Sequence, residues 1–111
     1  MDLENKQQLR SILYILLSKV PSGRLVTYGQ IAKMAGYPGL ARWVGRELSR
    51  LPNDTQLPWH RVVAAGGRLS LPQNTRAGDE QRQRLRLEGI LVVKDRVKLV
   101  EYQWQPDAVS K

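Results

Sequence analysis

Apolar residues at Leu9, Ile12, Leu13, Leu16 and Val20 recur at intervals of three and four, so the spacing predicts an amphipathic helix from about Glu4 to Lys19 that Pro21 and Gly23 end. That helix reads as scaffold. Leu25 to Tyr28, "LVTY", is a short extended entry, with Thr27 or Gly29 placed to cap a helix over "QIAKMA" that stops at Gly36. After the break at "YPG", helical spacing returns from Leu40 to Leu51. Leu40, Val44, Leu48 and Leu51 make one stripe there, and Arg42, Arg46 and Arg50 make another. Two short helices across a Gly/Pro turn form the pattern of a helix-turn-helix, although any small helical bundle contains such a pair.

The second half alternates more. "LPNDTQLP" is a polar loop; "RVVAA", the turn at Gly66 and Gly67, and "RLSL" read as a short hairpin. "GDEQRQRLRLEG" predicts a helix with Asp79 and Glu80 at its N-terminal dipole, arginines in its later turns, a thin apolar face and Gly89 at its close. "ILVVKDRVKLVEY" reads as a closing hairpin around "KDR". The expected architecture is mainly α with small β-hairpins, one domain over residues 1–111 with a loose tail at 105–111. No internal repeat or low-complexity tract is present.

Charge sharpens this picture. Eighteen Lys and Arg against ten Asp and Glu leave +8, which favours a polyanionic partner such as nucleic acid. The absence of cysteine excludes disulfides, thiolate metal sites and thiol nucleophiles, and a single histidine makes a metal centre unexpected; no cofactor is called for. No basic-then-apolar leader opens the chain and the apolar runs are short, so the expectation is an intracellular protein, not secreted and without a membrane partner. It would act in the bacterial cytoplasm, associated with the nucleoid, or in a eukaryotic nucleus.

The only histidine stands in "LPWHRVV", Leu57 to Val63, beside Trp59 and Arg61. Taken with "VPSGRLVTYGQIAKMAG", "ARWVG" and "LEG", in that order and near that spacing, it makes the chain resemble the DNA-binding domain of the O6-alkylguanine-DNA alkyltransferases from roughly Ile12 to Tyr102. The resemblance implies a winged helix-turn-helix-like DNA-binding domain of the alkyltransferase type. Those enzymes carry Pro-Cys-His-Arg, whose cysteine accepts the alkyl group; here Trp59 stands in its place. Tryptophan at that position marks the alkyltransferase-like proteins, which bind O6-alkylguanine in DNA without removing the alkyl group. The chemistry agrees: an indole nitrogen commits its lone pair to the ring and cannot replace a thiolate, whereas its broad face can meet a flipped base.

The resemblance assigns further residues one at a time. Trp59 would contact the lesion; the alternative is a tryptophan that fills the former cysteine site as core. Arg42 would enter the base stack through the minor groove and fill the space of the extruded nucleotide, with Ala41 and Gly45 letting the helix approach; the alternative is a plain phosphate contact. Tyr28 would crowd the phosphate beside the target, where otherwise it is a hinge residue. Thr27 and Arg46 join the expected DNA contacts, and Leu48, Val62, His60 and Glu88 join Trp59 and Tyr28 around the expected lesion pocket. His60 and Glu88 match the relay that activates the enzymes' cysteine. With no nucleophile to serve, the pair is assigned to structure and pocket shape, and Arg61 to bracing the loop.

Two departures bear on pocket size. The family's Asn-Pro is Leu51–Pro52 here, and Pro72 stands near a tyrosine that closes the family's pocket, with a slightly longer run before Glu88; both point to larger adducts. The expected partners are double-stranded DNA containing O6-alkylguanine and, by resemblance, nucleotide excision repair proteins, with the protein itself a monomer. Two other readings stand beside this one. A helix-turn-helix transcriptional regulator would read the major groove with "ARWVGRELSR" and ignore alkylation. A hydrolase using His60 as base would lack both nucleophile and metal.

Overall fold

The computed structural model describes residues 3–106, so of the tail expected at 105–111, residues 107–111 lie outside the described residues. The elements run α1 (Leu3–Lys19), β1 (Val26–Thr27), α2 (Tyr28–Met34), α3 (Ala41–Ser49), a 3₁₀ turn (Trp59–Arg61), β2 (Val62–Val63), a second 3₁₀ turn (Ala65–Gly67), α4 (Arg76–Leu87), β3 (Val92–Val93), β4 (Arg96–Val97) and α5 (Leu99–Tyr102).

A two-residue parallel ladder organises the molecule. β1 pairs with β2, Val26 opposite Val62 and Thr27 opposite Val63, and a parallel pair needs a crossover, which α2 and α3 supply. Because side chains alternate across a strand, Val26 and Val62 enter one core with Leu9, Leu13, Leu17, Ile31, Trp43 and Val44, while Leu25 and Val63 enter another with Leu69, Leu85, Ile90, Val92 and Val97. The ladder is therefore the seam between an N-terminal helical half and a C-terminal half of α4 and the β3–β4 hairpin. Trp59, His60 and Arg61 sit immediately before β2, at that seam.

Local chemistry sets the helix starts. The Thr27 hydroxyl accepts from the Gln30 amide at 2.9 Å, so Thr27 rather than Gly29 caps α2. α4 begins at Arg76, earlier than the Gly78 of the sequence reading, because Thr75 caps it by accepting from the Gly78 amide at 3.1 Å while Asp79 accepts from the Asn74 amide. Gly78 is required inside that helix: a Cβ there would lie 1.9 Å from the Pro72 carbonyl oxygen. Gly67 is required by its φ of 86° and by the Val97 carbonyl oxygen, 2.2 Å from where a Cβ would be.

Several expectations are corrected. In α1 the buried row is Leu9, Leu13 and Leu17, followed by Val20 just past its end, whereas Ile12 is 42% exposed; the i, i+4, i+8 ridge lies on the core and Ile12 falls beside it. "RVVAA" and "RLSL" do not make a hairpin of their own. Val62 and Val63 pair with β1, and the second strand instead meets the closing hairpin, Arg68 opposite Arg96 with the Leu69 amide donating to the Asp95 carbonyl at 2.7 Å. The closing hairpin itself is confined to Val92–Val93 and Arg96–Val97, and the expected strand continuation is the helical turn α5, whose end returns to the seam through Leu25 N–H to Tyr102 C=O and Trp104 N–H to Leu25 C=O. Arg82, one of the arginines of α4, is buried and binds the Leu71 and Gly78 carbonyls and the Asp95 carboxylate.

Candidate nucleic-acid interface

Between α3, the Trp59–Arg61 turn and the first turns of α4 lies a cleft of about 360 Å³. α3 contributes Gly45, Leu48 and Ser49; the following loop contributes Leu51, Pro52 and Asn53; Tyr28, Trp59 and Leu71 close the sides, and α4 lines the far wall with Arg76, Ala77, Glu80 and Gln81. Of the residues expected around the pocket, Tyr28, Leu48 and Trp59 line it and His60, Val62 and Glu88 do not. Val62 is 1% exposed because β2 pairing turns it into the N-terminal core, and His60 and Glu88 stand behind the Trp59 turn. Of the two departures from the family pattern, Leu51 lines the cleft, whereas Pro72 lies on a neighbouring groove and Leu71 is the residue that faces in.

The residues expected to touch DNA gather at the start of α3 and on α2. Ala41 and Arg42 open α3, which has no side-chain cap at Leu40, so free amides and an exposed guanidinium share one end. Gly45 lies one turn on, against the Tyr28 ring; Arg46 is exposed, and Thr27 is the α2 cap. The Tyr28 hydroxyl is 3.2 Å from the Ser70 hydroxyl.

Trp59 is half-buried, with one flank ordered by charge. The Arg84 guanidinium carbon lies 5.7 Å from the indole centroid, and Arg84 is itself ion-paired to Glu80 one turn earlier on α4. His60 meets the indole edge-on at 6.2 Å. Sequence reasoning missed these α4 residues. Arg76, Glu80 and Arg84 share one helical face and that face was legible, but nothing in the sequence says what it packs against.

Behind the turn is a polar hub centred on Glu88. Its carboxylate accepts from the Arg61 guanidinium at 2.7–3.1 Å, from the Gly23 amide at 2.9 Å and from His60 Nε2 at 2.7 Å. Arg61 also donates to the Val20 carbonyl at 2.8 Å. Burial alone would raise the Glu88 pKa, but Arg61, the Gly23 amide and His60 together outweigh it and hold the carboxyl at about 2. Burial pushes His60 below its ordinary range, against the opposing pull of Glu88. A neutral His60 facing an ionised carboxylate carries its proton on Nε2, which leaves the buried Nδ1 lone pair without a partner among the described residues. Gln81 completes the hub by donating to the His60 and Val62 carbonyls at 3.3 and 3.1 Å, fixing the turn from α4.

At the position that the resemblance gives to a cysteine the cleft presents the indole of Trp59, and the chain contains no thiol. The cleft offers an indole face, a tyrosine, aliphatic walls and the side chains of Arg76 and Glu80, while the one imidazole is buried behind the Trp59 turn. Among the described residues no cluster of His, Cys, Asp and Glu could hold a metal ion, and no helix is long and apolar enough to cross a membrane.

Comparison with known proteins places these features. Residues 8–90 match the family described as "6-O-methylguanine DNA methyltransferase, DNA binding domain". The chain is 45% identical over 95 residues to the DNA base-flipping protein of Vibrio parahaemolyticus, covering 85% of this chain and 93% of that one. It is 33% identical over 99 residues to alkyltransferase-like protein 1 of Schizosaccharomyces pombe, covering 85% and 92%. The crystal structure of S. pombe Atl1 in complex with damaged DNA containing O6-carboxymethylguanine superposes with a TM-score of 0.83 at 32% identity, over 96% of this chain and all of that one.

Proposed function

The chain belongs to the family of the 6-O-methylguanine DNA methyltransferase DNA-binding domain, and on that premise we propose that it is a sensor of O6-alkylguanine in double-stranded DNA. It binds from the minor groove, turns the damaged nucleotide into the Trp59 cleft and leaves the alkyl group on the base. One observation carries this reading. The position that the resemblance gives to an alkyl-accepting cysteine holds Trp59 on the wall of a cleft of about 360 Å³, with the relay residues intact behind it and no thiol in the chain.

Extruding a base costs a few kcal/mol, which the cleft and the vacated stack must offset. Stacking on Trp59 contributes roughly 1–3 kcal/mol, burial of the alkyl group against Leu48 and Leu51 adds to it, and Arg42 at the exposed start of α3 fills the gap. The +8 charge supplies affinity through phosphates and no discrimination. The protein acts as a monomer in the compartment that holds the chromosome, and the complex is passed to nucleotide excision repair proteins.

Competition binding of short duplexes with guanine or O6-alkylguanine at one position tests this. The expected result is a preference for the alkylated duplex that persists as salt rises. A preference for particular base sequences, indifferent to alkylation, would instead identify a major-groove regulator. In Arg42→Ala, binding to both duplexes weakens and the fluorescence change of a base analogue beside the target is lost.

A further inference from the structure

The C-terminal half carries a cationic patch that the lesion cleft does not use. Arg68 and Arg96 stand directly opposite each other in an antiparallel bridge, both exposed, and among the described residues neither has an ion-pair partner. Like charges opposite one another across two strands oppose the pairing unless a counter-charge joins them. Lys94, in the β3–β4 turn, adds a third exposed cation and holds a left-handed backbone, φ 56°, that non-glycine residues seldom adopt. The nearest acid, Asp95, is already engaged by Arg82 at 2.9 Å and by Gln73 at 3.4 Å. Arg68, Ser70, Gln73 and Lys94 line an open groove, and Ser70 links it to the cleft through Tyr28.

We infer that Arg68, Arg96 and Lys94 form a second phosphate-binding site for the DNA backbone, seated where the Arg68 segment meets the β3–β4 hairpin and separate from α3. Position selects this occupant. Leu71 faces the cleft only three residues after Arg68, a reach of at most about 10 Å, so the patch meets phosphates within about three to four base pairs of a base held there. The site reads no sequence and no alkylation; it fixes how far the duplex is tracked beyond the lesion. The inference rests on the proposed DNA binding, but it does not depend on lesion preference.

The test is the salt dependence of binding for the full chain and for the double variant Arg68→Gln with Arg96→Gln, on alkylated and undamaged duplexes, with melting temperatures confirming the fold. Loss of two phosphate contacts flattens the slope of log K against log salt by about 2 on both duplexes and leaves their affinity ratio unchanged. Shortening the duplex on the flank that reaches the hairpin brings wild type down to the variant. Equal slopes for wild type and variant would overturn the inference, and would leave the patch to another partner such as an acidic protein segment. Failure of the sensor reading looks different: wild type then shows no preference for the alkylated duplex, while the slopes still separate.

Discussion

The two sides of Trp59 are built on opposite principles. Behind it, Glu88 gathers Arg61, His60 and the Gly23 amide into a densely hydrogen-bonded hub; in front, the cleft is mostly apolar, open and lined by side chains with few mutual hydrogen bonds. The rear ties the chain before β2 to the end of α4 and to the residues after α1, so it holds both cores together whatever the cleft binds. This explains how a His–Glu pair persists with no nucleophile beside it: its contribution is to the seam. The front has the character of a binding surface, in which unfilled apolar area is lost to water until a ligand covers it.

Breaking the rear has the largest expected effect. Glu88→Ala leaves a mostly buried guanidinium and imidazole unpaired, and stability falls by about 3 kcal/mol, seen as a drop in melting temperature of roughly 10 °C. Lesion preference of the molecules still folded is unchanged. A Glu88→Ala protein that melts like wild type would erase the distinction between the two sides.

Breaking the front moves binding instead. Trp59→Ala loses roughly 1–3 kcal/mol of preference for alkylated over normal guanine in competition binding and keeps its affinity for undamaged duplex. Unchanged preference would return Trp59 to the core. Arg84→Ala removes the cation that orders one flank of the indole; a loss of about 0.5–1 kcal/mol in the same preference is expected, with partial recovery in Arg84→Lys.

The smallest effect sharpens the rear through pH. Burial holds the folded His60 pKa below the ordinary 6.5, so as pH falls below 6.5 the unfolded chain takes up a proton that the folded chain does not, and stability declines. Glu88, at about 2 against 4.5, adds a second decline as pH falls through that window, again because only the unfolded chain is protonated there. Melting curves against pH should show the first decline in wild type and not in His60→Gln.

Much of this was legible in the sequence because the signals were local. The period of three and four located α1 and α3, Thr27 was one of two candidate caps, and the family resemblance carried by "PWHR" and "LEG" paired His60 with Glu88. What escaped was tertiary. Strands of two residues carry no alternation, so β1–β2 pairing, and with it the burial of Val62, left no trace in the pattern. The polar α4 residues Gln81 and Arg82 look solvated by composition, yet both are buried because loop carbonyls at His60, Val62 and Leu71 need donors there. Arg61 was read as a brace, and its bonds to Glu88 and the Val20 carbonyl give that role its geometry.

The central claim is recognition without removal, and an oligonucleotide labelled on its O6-alkyl group tests it most directly. Incubated with excess protein under conditions where the complex is seen to form, all label should stay on the DNA and the base should remain alkylguanine after the protein is stripped away. Label on the protein, or restored guanine in the recovered strand, would contradict the account.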